Sequence, residues 1–104
     1  MKTQITARHF DASSALKEHV QKRLAKLERF YDGYTDAHVI MSEGDDPSAG
    51  KEVEINLNVR QQRLSAEGAA STYEKAVSDC AERLRRQVIK HKEKMRSNDQ
   101  NRYR

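Results

Sequence analysis

The chain has 104 residues, a formal net charge of +4, and nearly equal hydrophobic (36%) and charged (35%) fractions. One domain is expected, and a domain of this size buries about two-thirds of its unfolded surface, which leaves no room for a large internal substrate cavity. So little apolar material supports folding only if it is placed periodically. There is no stretch of about 18 apolar residues and no N-terminal signal segment, so a soluble, cytoplasmic protein without a membrane partner is expected. The single cysteine, Cys80, cannot form an internal disulfide, and the four histidines lack metal-ligand spacing.

Residues 2–9 alternate Thr3, Ile5 and Ala7 with polar neighbours, the period of a half-buried strand. Ser13 is the N-cap candidate for a helix whose apolar residues Leu16, Val20, Leu24, Leu27 and Tyr31 recur at steps of three and four, with Asp32-Gly33 as its stop. Residues 35–43 place Ala37, Val39 and Met41 on one strand face. The segment Gly44 to Gly50 holds the only proline and reads as a turn. In 51–60, Val53, Ile55, Leu57 and Val59 alternate with Glu52, Glu54, Asn56, Asn58 and Arg60, predicting one core face and one wet face. A weak turn at Gln61-Gln62 leads into a further strand to about Gly68.

Ser71-Thr72-Tyr73-Glu74 has capping-box spacing, with Ser71 as the cap, and opens a second helix. Its apolar stripe is Tyr73, Val77, Cys80, Leu84, Val88 and His91, and the pattern fades near Met95. Residues 1–96 are expected to form the domain and 97–104 a flexible polar tail. The predicted class is α+β, order βαβββα, with two helices on one face of a four-stranded mixed sheet. A helix over 72–96 is about 37 Å long and must overhang strands of about 27 Å.

The overhanging end is the basic one. From Glu82 onward there are nine basic residues against three acidic ones, a net +6. Arg83, Arg86, Lys90 and Lys94 follow at steps of three and four and predict a stripe beside the apolar one. Lys22, Arg23, Lys26 and Arg29 are the non-core cations of the first helix. With the helices side by side, Arg23 and Lys26 are expected to form one wall of a groove and the second-helix stripe the other, focusing positive potential on a nucleic-acid backbone. The competing interpretation is a solvated face whose cations oppose the helix dipole.

Other candidates are weaker. Tyr31, Tyr34 and Tyr73 could stack on bases, but tyrosines at helix ends are more often core or edge residues. The wet strand face offers no aromatic platform for bases. Cys80 lies on an apolar stripe, where a thiol is inert. Glu52 and Glu54 share a strand face but no pocket is expected, so no catalytic residue, metal ligand, cofactor or small-molecule substrate is assigned.

The segments ITARHFDASSALKEHVQKRLAKLERFYD, SAEG, TYEKAV and RLRRQVIKHKEKM, in that order, resemble the ribosome hibernation-promoting factor family, also described as ribosome-associated inhibitors, over about residues 1–95. The resemblance implies a double-stranded-RNA-binding-like domain on the small ribosomal subunit near the decoding region. There it would block messenger and transfer RNA and silence translation in starved or stationary-phase bacteria, and some members also promote ribosome dimers. The family's basic positions match Arg23, Lys26, Arg83, Arg86, Lys90, Lys92 and Lys94. The chain ends soon after the second helix, as in the short forms, and a monomer is expected off the ribosome. A general double-stranded-RNA-binding module and a protein adaptor using the exposed sheet face are the alternatives.

Overall fold

The computed structural model describes residues 2–29, 34–44, 50–59 and 62–101. Their order is β1 (Lys2–Ala7), α1 (Ser14–Glu28), β2 (Tyr34–Glu43), β3 (Lys51–Val59), β4 (Gln62–Ala70) and α2 (Tyr73–Asn101). The strands lie β1-β2-β3-β4 across one sheet, with β1 parallel to β2 and the later pairs antiparallel. This is the mixed four-stranded sheet that the alternation predicts. Registers such as Ile5 beside Val39, Val39 beside Ile55 and Ile55 beside Ala66 carry one apolar row across all four strands. That row, with Leu16, Val20, Leu24 and Leu27 of α1 and Val77, Cys80, Leu84 and Val88 of α2, forms one core.

Helix α1 starts as expected: the Leu16 N–H donates to Ser13 Oγ at 3.1 Å. It ends at Glu28 with Arg29 as C-cap, earlier than the Asp32-Gly33 stop. Tyr31, Asp32 and Gly33 fall outside the described residues, as do the centre of the acidic turn (45–49) and the hairpin positions 60–61.

Two expectations are corrected. The cap of α2 is Thr72 rather than Ser71, because Thr72 Oγ1 accepts from the Lys75 N–H at 3.2 Å and the helix opens at Tyr73. Helix α2 runs on to Asn101, with neither glycine nor proline in 97–101. Asn56 is not wet: it is 6% exposed on the open sheet face. It sits in a central strand between His38 and Ser65, its cross-strand neighbours, which cover it. The Ser65 hydroxyl donates to Asn56 Oδ1 at 2.6 Å, and Asn56 Nδ2 donates to Glu54 Oε1 at 3.1 Å, so the buried amide is satisfied.

Close approach of α2 to β4 depends on Gly68. A Cβ there would sit 3.1 Å from Cys80 Sγ and 3.2 Å from the Ala76 carbonyl oxygen. At the start of α2, Phe10 stacks on Tyr73 with centroids 4.7 Å apart, and Lys51 Nζ lies 5.5 Å from the Tyr73 ring. The same lysine pairs with Glu43 at 2.6 Å, which lowers the carboxyl pKa and raises the ammonium pKa.

Cys80 is fully buried and its thiol donates to the Val53 carbonyl at 3.4 Å. Burial pushes it from its usual 9.0 up to about 11. An acid whose folded pKa is raised stabilises the fold below its unfolded pKa and loses that contribution as pH climbs through the folded value. Native protein at pH 8 should therefore resist thiol-specific reagents until denaturant is added, and urea midpoints should fall between pH 9 and 11. A Cys80→Ala variant should show a weaker alkaline decline. Rapid labelling of the native thiol would contradict this account.

Candidate nucleic-acid interface

The helices meet through a small polar latch. On α1, His19 and Arg23 are one turn apart, and both reach Ser78 on α2. His19 Nε2 lies 3.0 Å from the Glu74 carbonyl oxygen and 3.2 Å from Ser78 Oγ, so an Nε2–H can donate to the carbonyl. Arg23 Nη2 donates to the Ser78 carbonyl at 3.3 Å. Arg23 is thus partly buried and fixed, while Lys22, Lys26 and Arg29 remain exposed around it.

Two concavities share Arg23 and Lys26. One, of about 420 Å³, also takes in His19, Lys22, Arg29 and Ser78. The other, of about 180 Å³, is closed on the α2 side by Ala81, Glu82 and Arg85. The expected groove between the helices therefore exists, but its second wall is not the Arg83, Arg86, Lys90 and Lys94 stripe. Arg85 occupies that place, 3.2 Å from Glu82 Oε1 in an exposed pair one turn apart.

The reason is helical geometry. At about 100° per residue, positions seven apart nearly superpose, so Ser78, Arg85 and Lys92 form one row on the α1 side of α2. Arg83, Lys90 and Lys94 lie on the opposite flank, beside the free edge of β4. There Arg83 Nη1 donates to the Glu67 carbonyl, and Gln87 Nε2 donates to the Ser65 carbonyl at 2.7 Å. These bonds cover acceptors on an edge strand that would otherwise be open to pairing. Arg86 is exposed on the crest between the two rows. The structure thus brings Lys22, Arg23, Lys26, Arg29 and the row containing Lys92 to one groove, and sets Arg83, Lys90 and Lys94 apart from it.

Arg85, His19 and Ser78 line the groove between the helices, although spacing of three and four does not single them out. The i+7 relation of Ser78, Arg85 and Lys92 was the available signal, but spacing of three and four favoured the other flank. Residues Ser14–Arg29 and Tyr73–Lys94 together hold twelve cations against six carboxylates, a net +6. On the open sheet face the described side chains include Asp36, Glu52, Glu54 and Glu67 against Lys2, Arg63 and Arg8, which lines the same face beside Ser42 and Glu52, a net −1. The molecule is electrostatically two-sided.

Residues 3–96 match the family described as Sigma 54 modulation protein / S30EA ribosomal protein. The chain belongs to this family. Among S30EA relatives, a ribosome hibernation promoting factor of Azotobacter vinelandii is 31% identical, covering 90% of this chain and 85% of the relative. A ribosome-associated factor Y of Haemophilus influenzae is 28% identical, covering 96% and 92% respectively. In three dimensions, a ribosomal subunit interface protein from Coxiella burnetii superposes with a TM-score of 0.79 at 25% identity, over 88% of this chain and 98% of that one. The S30EA fold is therefore the one the strand and helix order predicts. No helix among the described residues is long and apolar enough to cross a membrane.

Because the latch joins the helices away from the main core, His19→Ala should lower the unfolding free energy by about 1 kcal/mol, the usual net value of such a bond. Urea denaturation measures this. An unchanged midpoint would show that His19 does not hold the helices together.

Proposed function

We propose that this chain is a ribosome hibernation factor that docks its helical layer on the small ribosomal subunit near the decoding region. The single observation that carries this is the separation of charge: +6 on the helices and −1 on the open sheet face. Polyanionic RNA is drawn to the first and repelled by the second. The relatives' names, which attach them to the ribosome and to hibernation, supply the partner.

In this reading ribosomal RNA phosphates are met by Lys22, Lys26, Arg29 and Lys92 along the inter-helix groove, by Arg86 on the crest, and by Lys90 and Lys94 beyond it. Arg23 and Arg83 also carry charge toward the ligand, but each has a donor committed to a backbone carbonyl. They therefore position the surface as well as bind. A rigid body there excludes messenger and transfer RNA by volume, and translation stops without a bond being made or broken. Loss of bound counterions drives association, so binding weakens steeply with salt. Binding of bases by the open face is disfavoured, since its described side chains include no Phe, Tyr or Trp for stacking.

Co-sedimentation with purified small subunits over a salt series tests this. About six phosphate contacts at about 0.7 each predict a roughly 300-fold loss of affinity when salt rises fourfold. Lys22→Ala with Lys26→Ala, and separately Arg86→Ala with Lys90→Ala, should each flatten the logarithmic salt slope by about 1.5. Unchanged affinity and slope in both pairs would refute the helical-layer assignment. Equal competition by free duplex RNA would favour a general double-stranded-RNA module.

A further inference from the structure

A cavity walled by β4 and α2 lies outside the inter-helix groove. It has a volume of about 240 Å³ and is lined by Gln62, Leu64, Gln87, Lys90, His91 and Lys94. It lies where α2 leaves the sheet: His91 is the last buried side chain described on that helix, and the helix continues to Asn101. Ten further residues carry the helix about 15 Å past that point, so the cavity sits in the corner between the sheet and a projecting rod.

Its walls are chemically sorted. Leu64 and His91, 4% and 5% exposed, form a floor of one apolar side chain and one flat ring. Lys90 and Lys94, one turn apart and both exposed, stand on the rim. Gln87 has Nε2 committed to the Ser65 carbonyl, which fixes the side chain and leaves its carbonyl oxygen as an acceptor. Gln62, exposed at the start of β4, supplies a second carboxamide at the mouth. A patch made only to attract phosphate would need the two ammonium groups and no floor. A ring floor, fixed amides and a cationic rim together suit a nucleotide: base inward, phosphate outward. The volume is below the range of about 300–1,000 Å³ usual for drug-sized ligands, and suits a single ring system with part of its ribose.

We infer that this corner is a pocket for one unstacked RNA nucleotide, its base over Leu64 and His91 and its phosphate between Lys90 and Lys94. The inference rests on the RNA-binding reading of the helical layer and adds to it a second kind of contact. Backbone cations hold any RNA, whereas a base pocket selects a place where a nucleotide is already turned out of its helix.

The test is a titration of the full chain, ¹⁵N-labelled, with a ribonucleoside 5′-monophosphate, the corresponding nucleoside, and inorganic phosphate, followed by amide NMR shifts. The monophosphate should shift the Leu64 and His91 amides and the Gln87 side-chain amide, with affinity about tenfold above that of inorganic phosphate, the size of one stacking contact. Gln62→Trp, which blocks the mouth from an exposed position, should abolish that preference while leaving the phosphate response of Lys90 and Lys94. Equal affinity for monophosphate and phosphate, shifts confined to the two lysines, or an unchanged preference in Gln62→Trp would each overturn the pocket. Co-sedimentation of the wild-type chain separates the two levels. Nucleotide preference without ribosome binding would refute the docking reading, and ribosome binding without nucleotide preference would refute only the pocket.

Discussion

The seam between α2 and the sheet constrains everything else in this molecule. Val77, Cys80, Leu84 and Val88 share one buried cluster with Val53, Ile55, Leu57 and Ala66, and Gly68 admits the helix to contact distance. Burial of apolar area is the dominant favourable term in a domain with so few apolar residues. Once that stripe is fixed against the sheet, the rotation of α2 about its axis is fixed too. Each cation on α2 then has a determined side: Arg85 and Lys92 toward α1, Arg83, Lys90 and Lys94 toward the β4 edge, and Arg86 between them. A half-turn of the helix would trade these sides, so the packing of the core also sets which cations face α1 and which face the β4 edge.

The sheet's other face is organised differently. Its groups are satisfied by one another: Thr6 Oγ1 lies 2.8 Å from His38 Nε2, and the Ser65, Asn56 and Glu54 chain runs across two strands. Buried amides need such partners, and these use up the polar capacity that a base would require. The face is also acidic on balance. A polyanion therefore meets an attractive surface on one side and a repulsive one on the other, which orients the domain before any close contact forms.

Much of this was legible in the sequence because periods report faces directly. The alternation of Val53, Ile55, Leu57 and Val59 predicted which strand face is core, and the three-and-four spacing of α1 predicted its four buried residues. Ser13 was legible as a cap for the same local reason. What escaped depended on contacts between distant segments. Asn56 looks wet in isolation, and only its cross-strand neighbours bury it. Ser71 and Thr72 differ as caps by one residue, and the helix opening at Tyr73 decides for Thr72. Mutual spacing groups the α2 cations, but which flank faces α1 depends on how the helix is seated. His19 gave no signal at all, since its partners are 55 and 59 residues away.

The central claim is that the helical layer, and not the sheet, meets the ribosome. Lysine-directed chemical footprinting by mass spectrometry, comparing the free chain with the chain bound to small subunits, addresses it residue by residue. Lys22, Lys26, Lys90 and Lys94 should become protected on binding, while Lys2, beside Asp36 on the opposite side of the sheet, keeps its free-state reactivity. Protection of Lys2 with unaltered labelling of the four helical lysines would contradict the account.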